Sequence, residues 1–142
     1  MAASTFEEAI EQYHRALHAF MAGDTQPFKA LFTRRDDATL ANPFGGIARG
    51  WKEISERLDV AAANYADGKL VAIETLTSAA TGDLGYTVEI ELVRARVGER
   101  RMLDSVALRT TSVLRREGDD WKLVHRHADP LAELQATESI VL

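Results

Sequence analysis

The sequence predicts an α+β domain in which the helices come first and pack on one face of an antiparallel sheet. In the first half, apolar residues recur every three or four positions, and in the second half they alternate with polar residues. No linker interrupts the 142 residues, a length that suits one domain. We therefore expect a single domain over residues 1–142, with its core at about 5–130.

The first helix is predicted by Phe6, Ile10 and Tyr13, which begin an apolar stripe that continues to Met21. Thr5, followed three residues later by Glu8, is typical of a capping box at its start.

A short second helix is expected after Thr25, because Pro27 is tolerated in a first turn. An extended piece from Asp37 to Ala41 then leads into a turn. The third helix is predicted from about Trp51 to Tyr65, closed by Gly68.

The second half predicts four long strands joined by three hairpins, which make an antiparallel meander. Gly and Asp residues mark turns at 81–83, 98–99 and 117–120. The strands are expected at 70–78, 84–96, 102–115 and 121–127.

Composition excludes several classes of protein. The net charge of −5 would repel a phosphate backbone, so no nucleic-acid partner is expected. The absence of cysteine excludes disulfides, thiolate metal sites and a cysteine nucleophile. No apolar run approaches the roughly 20 residues of a membrane span, and residues 1–5 lack the features of a secretory signal. We expect a cytoplasmic protein without a membrane partner.

Two histidines on the last strand are the first candidates for chemistry. His125 and His127 are two residues apart, so they share a face, which strict alternation also gives to Trp121 and Leu123. That face is the more apolar one and is expected to point towards the helices. The imidazoles would serve there as acid–base groups or metal ligands. The alternative is a pair of half-buried histidines held by hydrogen bonds or placed at a dimer contact.

The first helix carries three further candidates. His14 and His18 have a spacing that can hold zinc, but Arg15 stands where metalloprotease helices place a glutamate. A solvated or peripheral role is therefore expected for both, and no metal site. Tyr13 lies within the apolar stripe, as a core residue or as a phenol that reaches into a cavity.

Charged side chains alternate along the predicted strands and are expected to form cross-strand pairs on a wet or interface face. They are Glu89, Glu91, Arg94, Arg96 and Arg109, with Thr111 beside them. The sequence contains no phosphate-binding loop, dinucleotide fingerprint or Gly-x-Ser-x-Gly motif, and no cofactor is expected.

Residues 36–46, DDATLANPFGG, followed by Arg49-Gly50 and the helix at Trp51, resemble the nuclear transport factor 2-like superfamily. The pattern is most similar to its SnoaL-like and ketosteroid isomerase-like branch. The strand at 121–127 resembles the closing strand of small SnoaL-like proteins and of the calcium/calmodulin-dependent kinase II association domain. The resemblance implies a cystatin-like cone of three helices on a curved sheet, with a pocket at one end and a homodimer formed through the convex face.

Compared with the ketosteroid isomerase pattern, this sequence has different residues at the catalytic positions. The isomerase aspartate before the proline corresponds to Asn42, whose amide cannot accept a proton near neutral pH. The oxyanion tyrosine falls near Ala16, one turn after Tyr13, and the second donor falls near Ser112. Steroid isomerase activity is therefore not expected. Asn42 would instead hydrogen-bond a carbonyl or enol of a ligand, or stabilise its turn.

The expected function is binding of a small hydrophobic or carbonyl-containing molecule in an apolar pocket. One alternative is an isomerase, cyclase or dehydratase that uses a pocket histidine as general base, and another is an oligomeric assembly domain. The expected catalytic residues are His125, His127 and Asn42; the expected ligand-binding residues are Tyr13, Trp51, Tyr86 and Ser112.

Overall fold

The computed structural model describes residues 2–142, which form three α-helices and six strands. The helices are α1 (Phe6–Met21), α2 (Gln26–Leu31) and α3 (Trp51–Ala63). The strands are β1 (Thr39–Ala41), β2 (Ala48–Arg49), β3 (Tyr65–Thr81), β4 (Leu84–Val97), β5 (Asp104–Glu117) and β6 (Asp120–Pro130). A short 3-10 helix spans Thr137–Ile140. Within residues 2–142, no helix is long and apolar enough to cross a membrane.

The strands form one sheet in the order β2-β1-β6-β5-β4-β3. The predicted antiparallel meander is present as β3 to β6. The sheet is nevertheless mixed, because β1 pairs in parallel with β6. The segment predicted as one extended piece and a turn forms a small β1–β2 hairpin on the edge of β6, which adds two strands to the predicted four.

Helix α1 begins where the sequence predicts. The Glu8 backbone N–H donates to Thr5 Oγ1 at 3.1 Å, which caps the helix. The Glu8 carboxylate accepts from the Ser4 backbone N–H at 3.0 Å, one residue before the expected capping-box partner. The apolar stripe of α1 packs on the sheet, and Tyr13 and Leu17 are fully buried.

The end of α3 differs from the prediction. The helix stops at Ala63 with Asn64 as its cap, and Gly68 lies inside β3 instead of closing the helix. A Cβ at Gly68 would overlap the carbonyl oxygen of Met21. Gly68 is therefore needed for the close passage of β3 past the end of α1.

The buried and exposed faces of β4 are the reverse of those predicted. Thr87, Glu89 and Glu91 are buried on the inner face, towards the helices. Tyr86, expected inside, is 41% exposed on the outer face together with Leu92. The prediction that Glu89 and Glu91 occupy a wet face is thus wrong, because partners on α1 and β6 pair with them inside the fold.

A β-bulge in β6 changes the face of its histidines. Leu123 pairs with Leu114 and His125 pairs with Val113, so Val124 is an extra residue in the strand. Trp121 and Leu123 point inward before the bulge, and after it Arg126 and Ala128 are the buried residues. His125 and His127 therefore lie on the outer face, and their predicted inward placement is wrong.

Candidate functional site

A buried ion pair lies at the centre of the inner face. The Arg126 guanidinium donates to both carboxylate oxygens of Glu91, from Nη1 at 2.6 Å and from Nη2 at 2.8 Å. Arg126 is 8% exposed and Glu91 is 2% exposed. Two of the predicted site residues, Tyr13 and Ser112, extend this pair. Arg126 Nη1 also donates to the Tyr13 hydroxyl at 2.6 Å, and Ser112 Oγ lies 2.6 Å from the same hydroxyl. We call these four residues the inner cluster.

Two members of the inner cluster, Tyr13 and Arg126, have shifted pKa values. Burial raises the pKa of Tyr13 to about 12, with Arg126 opposing and Glu91 adding to the effect, so the phenol stays neutral. Burial alone would lower the pKa of Arg126, but the Glu91 carboxylate and the Tyr13 hydroxyl outweigh it and raise that pKa. Arg126 is therefore charged and Tyr13 is a neutral hydrogen-bonding group.

A small cavity of about 30 Å³ lies beside the inner cluster, between the helices and the sheet. Its walls are mainly apolar, and the polar residues that line it are Asn42, Tyr65, Glu91 and Arg126. A void of this size has room for at least one water molecule. Phe44 also lines it, and its ring packs against Tyr65 with ring centroids 5.6 Å apart.

Asn42 has one polar atom that no described residue satisfies. Its Oδ1 accepts from the Phe44 backbone N–H at 3.2 Å, which fixes the orientation of the amide and stabilises the turn. The Nδ2 group is buried without a hydrogen-bond partner within residues 2–142. An unsatisfied buried donor costs about 1–3 kcal/mol, so this amide is suited to bind an acceptor brought by a ligand.

A second polar pair, missed by the sequence analysis, joins α1 to the sheet. His14 Nε2 lies 2.7 Å from Glu89 Oε2, which also accepts from the Thr75 hydroxyl at 2.6 Å. Burial raises the pKa of Glu89, but hydrogen bonds from His14 and Thr75 outweigh it and leave the pKa lowered. His14 is thus tied to a buried carboxylate, whereas His18 is exposed as expected.

The outer-face histidines do not contact the cavity. His125 Nδ1 is hydrogen-bonded to the Thr39 hydroxyl at 2.8 Å, and the rings of His125 and His127 are 6.4 Å apart. Burial and the neighbouring His127 lower the pKa of His125. In the part of the chain that the structure describes, no three His, Asp or Glu side chains are grouped to hold a metal ion.

Two other predicted residues also lie outside the cavity. The Arg34 guanidinium stacks 3.4 Å from the centroid of the Trp51 ring, and Trp51 does not line the cavity. Tyr86 is on the outer face, as described above. Of the predicted site residues, Asn42 lines the cavity. Tyr13 accepts a hydrogen bond from Arg126, Ser112 is hydrogen-bonded to Tyr13, and neither of the two lines the cavity.

A larger, open groove of about 520 Å³ runs between α1, α2 and the start of β6. Arg15, Trp121 and Lys122 are among the residues on its walls. It contains none of the predicted site residues, and the enclosed cavity beside Arg126 is therefore the better candidate site.

Solved structures of several proteins share this fold. A protein named for the calcium/calmodulin-dependent protein kinase type II association domain, from Thiobacillus denitrificans, is 20% identical, with a TM-score of 0.76 over 93% of this chain and 99% of its own. A dehydratase-named member of the NTF2-like family from Streptomyces avermitilis is 20% identical, with a TM-score of 0.74 over 89% of this chain and 97% of its own.

A nuclear transport factor 2-like superfamily protein from Salmonella enterica serovar Typhimurium is also 20% identical, with a TM-score of 0.77 over 94% of this chain and 95% of its own. At these identities the likeness shows a shared fold. No curated protein matches the chain.

The sequence provides the family. The model of the SnoaL-like domain matches residues 7–133, which include all three helices and all six strands but the first residue of α1. With the NTF2-like architecture of its structural neighbours, this match identifies the chain as a member of the SnoaL-like domain family.

Proposed function

We propose that this protein binds a small molecule in the enclosed cavity and that Asn42 Nδ2 donates a hydrogen bond to a carbonyl oxygen of the ligand. The observation that carries the proposal is the buried Nδ2 group of a residue that lines the cavity and has no partner within residues 2–142. Apolar walls with a few convergent polar groups are typical of small-ligand sites.

Binding without turnover is favoured over the enzyme alternative. The histidines expected to act as general base are on the outer face of β6. Glu91 lines the cavity, but both of its carboxylate oxygens accept from Arg126. Because both oxygens are engaged by Arg126, the cavity is better suited to hold a ligand than to remove a proton from it.

Titration with 2-butanone tests the proposal. We expect the side-chain amide resonance of Asn42 in ¹⁵N-labelled protein to shift and to saturate in the millimolar range, given the low affinity possible for so small a ligand. In Asn42→Asp the oxygen that caps the turn remains while the donor is lost, and we expect binding, followed in both proteins by the backbone amide resonance of Phe44, to weaken at least about tenfold. A titration that never saturates, or an unchanged affinity in Asn42→Asp, would contradict the proposal.

We propose in addition that the protein associates with itself through the outer face of the sheet. Tyr86, Val88, Ile90, Leu92 and Val113 form an apolar outer band on β4 and β5. An antiparallel sheet with one face in water normally presents polar residues there. The structurally similar protein from Thiobacillus denitrificans is named for an association domain. That name favours self-association as the role of the outer band.

Ile90→Arg tests this association, because it places a charge in the middle of the outer band. We expect light scattering of the wild type at micromolar concentration to give a multiple of 15.7 kDa, and the variant to give a smaller mass. Val60→Arg, at an exposed site on α3, is the matched control and should leave the mass unchanged. A wild-type monomer would overturn the proposal.

A further inference from the structure

We infer that the cavity selects a neutral carbonyl ligand over a carboxylate, and that Glu91 determines this selection. The inference rests on the proposed binding function and adds the charge class of the ligand. It follows from the ion pair that the two charged residues on the cavity wall form with each other.

Within residues 2–142, two of the residues that line the cavity carry a charge, Glu91 and Arg126. They form a bidentate pair in which one positive and one negative charge cancel. A carboxylate ligand seeking Arg126 would have to displace Glu91, and Glu91 is 2% exposed and would then be left buried without its counterion. Such a displacement is unfavourable because an unpaired buried charge is costly.

The remaining polar groups on the cavity wall are neutral donors. Asn42 Nδ2 has no partner within the described chain, and burial raises the pKa of the Tyr65 phenol, which therefore stays protonated. Neutral donors satisfy the oxygen of a ketone, ester or amide, but they do not neutralise an anion. The site thus matches a polar, uncharged acceptor attached to an apolar body.

Among the residues of 2–142 that line the cavity, Phe44 is the exposed one. Its ring is 47% exposed, and the glycines that follow it, Gly45 and Gly46, both have positive φ angles. A ligand larger than water would require the Phe44 ring to move outward into solvent. Beside that ring, the charged residues of the described cavity wall are Glu91 and Arg126.

Three probes of equal heavy-atom count separate charge from shape: 2-butanone, propionamide and propionate. At pH 7 we expect the wild type to bind each neutral probe at least about tenfold more tightly than propionate. Glu91→Gln keeps the side-chain shape and exposes the charge of Arg126 to the cavity. In that variant the affinity for propionate, measured relative to that for 2-butanone in the same protein, should rise about tenfold or more.

Glu89→Gln is the control, because it removes the other inner carboxylate, which does not line the cavity. Its selectivity should equal that of the wild type. If the wild type binds none of the probes, the proposed function itself fails. If the wild type binds propionate as tightly as propionamide, the function stands and the charge selection is overturned. The wild-type comparison of propionamide with propionate also decides the selection if Glu91→Gln does not fold.

Discussion

Arg126→Met is expected to lower the free energy of unfolding by about 3–5 kcal/mol, because it leaves the Glu91 carboxylate buried without a counterion. Glu91 accepts two hydrogen bonds from Arg126 and is almost fully shielded from water. Urea unfolding followed by circular dichroism at pH 7 measures the loss. A loss below about 1 kcal/mol would show that Glu91 finds another partner or is not ionised in the fold.

The double variant Arg126→Met with Glu91→Leu separates charge from packing. Replacing both members of a buried ion pair by apolar residues is often neutral or stabilising, so we expect most of the loss to be recovered. Arg109→Met is the matched control, since Arg109 makes an equally bidentate pair with Asp129 at 2.8 Å but is 62% exposed. Its effect should stay below about 1 kcal/mol. A double variant no more stable than the single one would contradict this account.

The order of helices and strands could be predicted because its signals are local. The start of α1 follows from Thr5 and Glu8, which contact each other across one turn. The hairpins follow from turn residues between alternating segments, and three of them, Gly82, Gly98 and Gly118, adopt the positive φ that favours glycine. The NTF2-like fold was predicted from the family resemblance of residues 36–46, which include Asn42 and Pro43 at the end of β1, and of the strand at 121–127.

The faces of the sheet could not be predicted in the same way. Strict alternation placed His125 inside and Arg126 outside, and the bulge at Val124 reverses this. The bulge depends on the register with β5, a long-range property that local sequence does not record. Glu91 and Arg126 are 35 residues apart, so their mutual neutralisation inside the fold was also invisible to local patterns.

One residue of the site, Asn42, could nevertheless be predicted from the sequence. Its position before a proline predicted a turn, and its amide suggested a ligand donor. The structure gives the two ends of the same amide different environments, since Oδ1 holds the turn and Nδ2 is left without a partner within residues 2–142.

His14→Ala is expected to lower the free energy of unfolding at pH 7 by up to about 3 kcal/mol. The substitution leaves Glu89, which is 1% exposed, with the Thr75 hydroxyl but without its imidazole partner. His14 is 28% exposed, and entry of water beside Glu89 keeps the loss at the lower end of the range for buried pairs. His18→Ala, on the exposed side of the same helix, is the matched control, because it makes the same change in helix propensity as His14→Ala. It should change the free energy of unfolding by less than about 0.5 kcal/mol.

The pH dependence of this loss distinguishes a lost charge partner from lost packing. In the wild type the pKa of Glu89 is lowered, so its stabilising contribution is present above the unfolded pKa, about 4.3, and disappears as pH falls through the folded pKa. In His14→Ala the Thr75 hydrogen bond remains but the lowering effect of His14 is lost, so the Glu89 pKa rises from its wild-type value and the loss of stability is larger at pH 7 than at pH 4. Urea unfolding at both pH values measures this convergence. In a Glu89→Gln background, the effect of His14→Ala on the free energy of unfolding should be small and equal at pH 7 and pH 4. In the wild-type background, a loss that is the same at both pH values would mean that His14 contributes packing alone.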